Sequence, residues 1–92
     1  MRKKPLAAKI EAFLPVIGKA RDHPWINSEE DEFLARAEAE LAIYAEQLRG
    51  LPGKPFLTPK GRAVVRKWTI AALEDAQAFI KNNGFNKKVR HG

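Results

Sequence analysis

The chain has 92 residues, no cysteine and a formal charge of +6, with 17 lysines and arginines against 11 carboxylates. That length suits one domain around a single hydrophobic core, and the lack of cysteine excludes a disulfide framework and any thiolate metal site. The charge raises the expectation of an acidic partner such as nucleic acid, beside the plainer role of keeping a small protein soluble.

The first segment, residues 1–21, opens with cations and turns apolar, as a signal peptide does. Lys9 and Glu11 interrupt the apolar run, and no small-residue cleavage site follows. No stretch approaches the ~20 apolar residues that span a bilayer, so the expectation is a soluble, cytoplasmic chain with no membrane role. Leu6, Ile10, Phe13 and Ile17 form an apolar stripe at helical spacing, with Leu14 beside it. Pro15 lies within the stripe and predicts that helix 1 is kinked or cut in two. A basic amphipathic helix can also lie on a membrane surface, but this stripe is needed for the core.

The stretch DHPWIN (22–27) breaks the chain, with Trp25 expected to fold this loop onto the bundle as a core residue. Helix 2 follows. Asn27 or Ser28 can cap it, and Glu29, Glu30, Asp31 and Glu32 complement the dipole in its first turn. Leu34, Ala37, Leu41, Tyr44 and Leu48 repeat at heptad spacing, Arg49 closes the last turn, and Gly50 suits the position after it. Ile43 falls opposite this stripe, flanked by Ala35, Ala39 and Ala42. Small residues let a second helix approach closely, which makes the strip a candidate for a homodimer or partner contact.

Residues 50–57, GLPGKPFL, are too rich in glycine and proline to be helical, and their length allows helices 2 and 3 to lie antiparallel. Helix 3 is predicted from about Pro59 to Asn82, capped by Thr58 and stopped at NNG (82–84). Its apolar positions Val64, Val65, Trp68, Ala72, Ala76, Phe79 and Ile80, with Leu73 on one flank, cover about half the wheel, more than the ~100° stripe of a helix with one neighbour. The expected fold is therefore an all-α three-helix bundle with helix 3 central, a core over about 6–82 and basic tails at 1–5 and 85–92.

Charge is sorted by segment. Residues 24–49 carry seven anions and two cations, whereas residues 50–92 carry nine cations and two anions. The start of helix 3 is the anomaly: Lys60, Arg62, Arg66 and Lys67 crowd the end where the helix dipole is already positive, at a cost of about a few tenths of a kcal/mol each. Those charges suit a helix that meets a phosphate or carboxylate, or one that neighbours the acidic start of helix 2. Lys87, Lys88 and Arg90 extend the basic character into the C-terminal tail, as arms that follow a nucleic-acid backbone do.

Catalytic chemistry finds no support. His23 and His91 are isolated, Asp22 beside His23 is a poor acid–base pair, and no HExxH, phosphate-binding loop, GxGxxG or GxSxG pattern occurs. The sequence predicts no enzyme, no cofactor and no metal. Two functions follow as expectations. The first is a small helical module, regulatory or accessory, that binds DNA or RNA through phosphate contacts from Lys60, Arg62, Arg66, Lys67, Lys87, Lys88 and Arg90. The second is a protein–protein adaptor or inhibitor of the type phages and mobile elements encode, binding through acidic helix 2 or the Ile43 strip.

Overall fold

A computed structural model describes residues 5–84 apart from 52 and 55. It is an all-α three-helix bundle: α1 (Leu6–Arg21), α2 (Ser28–Arg49) and α3 (Pro59–Asn82). No described helix is long and apolar enough to cross a membrane.

Local chemistry accounts for each helix end. Asn27 Oδ1 accepts from the Glu30 N–H at 2.8 Å and Glu30 Oε1 accepts from the Asn27 N–H at 3.0 Å, a reciprocal capping box that starts α2. Gly50 follows the last turn of α2 at φ 64° and ψ −163°, a conformation that suits only glycine. The connection then tightens, with Leu51 and Lys54 exchanging two backbone hydrogen bonds at 2.9 Å. Thr58 Oγ1 accepts from the Gly61 N–H at 3.1 Å and Pro59 takes the first helical position of α3.

α1 is a single helix with Pro15 inside it, not two pieces. Proline removes the donor for the Glu11 carbonyl and crowds it, but Glu11 and Pro15 are both exposed. The freed carbonyl is on the water side, where the cost is least, while buried Ile10 and Ile17 hold both halves to the core.

Cross-contacts give the arrangement. Arg62 meets Leu48, Trp68 meets Tyr44 and Phe79 stacks on Phe33, so α3 runs antiparallel to α2 in a constant register. Arg49 pairs with Glu11 and Arg21 with Asp31 and Glu38, so α1 is antiparallel to α2 as well. α1 and α3 are therefore parallel, both laid on α2, and they touch each other most sparingly.

The central helix is thus α2, not α3, and the reason lies in the phase of α3. Its buried residues are Val65, Thr69, Leu73, Ala76 and Ile80, one narrow stripe that suits one principal neighbour. Thr69 is fully buried because its hydroxyl donates to the Val65 carbonyl at 2.7 Å, which leaves a compact branched side chain for the core. Counting Thr69 as inward turns the helix, so Val64 and Trp68 come out to the surface. Trp25 is likewise exposed, at 58 %, and His23 at 7 % is the buried residue of its loop, its ring edge-to-face with that of Trp25 at a centroid separation of 3.8 Å.

Candidate functional site

The first turns of α3 take their shape from the cap. A Cβ on Gly61 would stand 3.3 Å from Thr58 Oγ1 and 3.7 Å from Leu57 Cδ2, so glycine here lets the capping threonine close over the helix start. The cap occupies the Gly61 N–H, one of the N-terminal donors that an external anion would otherwise find.

The four cations of this region divide by role. Arg62 Nη1 donates to the Leu48 carbonyl at 2.8 Å. A cation at the C-terminal carbonyls of α2 is favourable to that helix's dipole, so Arg62 offsets in α2 what it costs in α3. Lys60, Arg66 and Lys67 are exposed and make no ion pair among the described residues.

Three carboxylates of α2 are engaged with arginines away from the start of α3. Arg21 of α1 bridges Asp31 at 2.8 Å and Glu38 at 3.1 Å, and Arg36 pairs with Glu32 one turn away at 2.9 Å. The hydrogen bond from Arg21 holds the Asp31 carboxyl below the usual carboxylate range, against a smaller opposing effect of desolvation, and Asp31 in turn raises Arg21. Because α3 is antiparallel to α2, its basic start lies beside Leu48, about 25 Å along α2 from the acidic first turn. Over that distance exposed charges are screened, since the Debye length is about 8 Å at physiological salt. Pairing within one molecule between the two helix starts is therefore excluded.

Helical spacing brings Lys60, Val64, Lys67, Trp68 and Ala71 onto one outward face of α3. Trp68 is 54 % exposed and Val64 43 % exposed, and the indole meets Tyr44 of α2 in a tilted arrangement with centroids 6.5 Å apart. Lys60 and Trp68 are separated by about 12 Å along the axis. Further along, exposed Glu74 and Asp75 end the basic character, and Asp75 is neither half-buried nor ion-paired among the described residues. Arg66 lies on the other flank, one and two turns before Ile70 and Leu73, toward the groove between α3 and α1. That groove has a volume of about 310 Å³ and is lined by Lys9, Phe13, Val16, Leu73 and Gln77 among others.

The sequence-predicted residues are thus brought together in part. Lys60 and Lys67 share a face, Arg66 stands apart, and Arg62 is turned to α2. Lys87, Lys88 and Arg90 lie outside the described residues. In the proposed partner strip, Ile43 is 53 % exposed and Ala39 and Ala42 are exposed, whereas Ala35 is half-buried. The residue that sequence reasoning missed is Trp68, expected in the core and found beside Lys67 on the surface. No protein-family model, curated protein or solved structure matches the chain.

Proposed function

We propose that the protein is a non-enzymatic regulatory or accessory module that binds nucleic acid through phosphate contacts from the exposed first turns of α3. The observation that carries this reading is the set Lys60, Arg66 and Lys67, exposed and unpaired among the described residues, while Asp31, Glu32 and Glu38 of the acidic helix are paired with other arginines. Lys60 lies in the first turn of α3, where a cation is locally unfavourable, and a bound phosphate reverses that sign because charge and dipole then act together. The overall charge of +6 would draw a polyanion from a distance, and Lys87, Lys88 and Arg90 would add backbone contacts. Such a role fits the reducing cytoplasm, where a chain without cysteine is at no disadvantage.

The reading is tested by titrating the full chain against fluorescently labelled single-stranded and duplex DNA and RNA at low salt. Saturable binding that weakens in Lys60→Gln and Lys67→Gln supports it, and absence of binding at low salt refutes it. A second reading, a protein–protein adaptor or inhibitor, is favoured by Ile43 alone, an aliphatic side chain that projects from α2 at 53 % exposure. Capture of a protein partner that survives nuclease and is lost in Ile43→Glu would support it.

A further inference from the structure

We infer that the strand held on α3 is single, with a base stacked on the Trp68 indole; this rests on the nucleic-acid reading above and specifies its ligand. Trp68 is the largest side chain on α3, yet it is 54 % exposed while its neighbour Thr69 is fully buried. Next to it along the same outward face stand Val64 and Ala71, with Lys60 and Lys67 on the side away from the core stripe. Tyr44 meets the indole from α2 in a tilted arrangement, centroids 6.5 Å apart at 41°, and more than half of the Trp68 surface is open to solvent.

An aromatic plane beside two uncompensated cations matches the chemistry of single strands. Their unstacked bases are available to an aromatic face, and their phosphates to the cations. In a duplex the bases are already stacked on one another, and a convex helix bearing a bulky indole meets only backbone and groove edges. A second copy of the chain docked symmetrically is a poor occupant of this face. A symmetric contact would bring Lys60 and Lys67 of both copies together, and like charges across an interface oppose association. Charge complementarity favours a polyanion, and the indole favours one that carries planar bases.

The test uses the full chain in a Trp25→Phe background, so that Trp68 is the one remaining tryptophan of the two in the sequence. Oligo-dT should quench its fluorescence saturably, whereas a hairpin duplex and poly-glutamate should not. Trp68→Ala should weaken oligo-dT binding by about fivefold or more, leave duplex binding and the salt dependence unchanged, and Trp68→Phe should recover most of the loss. Thermal melting of each variant checks that it remains folded.

Equal quenching by duplex, or by poly-glutamate, would overturn the inference. Unchanged oligo-dT affinity in Trp68→Ala, with weakened affinity in Lys60→Gln and Lys67→Gln, would also overturn it while leaving the phosphate reading intact. No binding of any nucleic acid would remove both.

Discussion

Truncating Trp68 and truncating Leu73 should have effects in the reverse order of their size. Leu73 belongs to the buried core cluster, and Leu→Ala at such sites costs about 2–5 kcal/mol. The groove beside Leu73 can relax or admit water, which places the expected loss at the low end, about 2–3 kcal/mol. Trp68 is more than half exposed, and its described ring contact is the tilted one with Tyr44. A contact of that kind contributes about 0.5–1.5 kcal/mol beyond the apolar area the indole buries, and alanine recovers roughly 0.5 kcal/mol through its better helix propensity. Trp68→Ala should therefore cost about 1–2 kcal/mol, less than Leu73→Ala. At about 4–8 °C per kcal/mol for a domain of this size, Leu73→Ala lowers the Tm by roughly 10–20 °C and Trp68→Ala by roughly 5–10 °C. Thermal melts followed by circular dichroism read both. If Trp68→Ala melted at or below Leu73→Ala, Trp68 would be a core residue, the phase assigned to α3 would be wrong, and no stacking face would exist on it.

Arg62→Gln should lower stability by about 1 kcal/mol through loss of the bond to the Leu48 carbonyl, whereas Lys60→Gln should leave the melt unchanged or slightly raised; equal melts for the two would refute the division of roles. Asp31 has a folded pKa depressed by Arg21, so its contribution is present at neutral pH and is lost as pH falls below the usual carboxylate range. Melts of wild type and Asp31→Asn should accordingly converge in acid, and a gap of constant size at every pH would refute that origin. Ile43→Glu should leave the Tm almost unmoved and, if the strip is an interface, alter the mass seen by light scattering; a large loss of stability would place Ile43 in the core instead.

Helix identity and ends were legible because they depend on neighbours in sequence. The capping box at Asn27 and Glu30 and the Thr58–Pro59 start each act over three or four residues, and the structure carries both. The phase of α3 was not legible, since a polar Thr69 reads as outward until its hydroxyl is seen bound to its own helix. That single residue displaced Trp68 into the core and promoted α3 to the centre of the bundle. Pro15 left two outcomes open, a kinked helix or two pieces: its local penalty is real, and anchoring of Ile10 and Ile17 in the core, on the tertiary level, keeps the helix in one piece. In the candidate site, the mismatch between cations and dipole pointed to Lys60 and Lys67 from sequence alone. The attachment of Arg62 to Leu48 depends on the register of two antiparallel helices, which no spacing within α3 encodes.

Phosphate contact by the exposed cations of α3 is read out by the salt dependence of binding. Affinity for labelled oligo-dT, measured by anisotropy of the full chain over a series of salt concentrations, should fall linearly on a log–log plot. Each of Lys60→Gln and Lys67→Gln should reduce the magnitude of that slope by about 0.7, the value for one phosphate contact on a single strand, with folding intact. An unchanged slope in both variants, or no binding at the lowest salt, would contradict the claim.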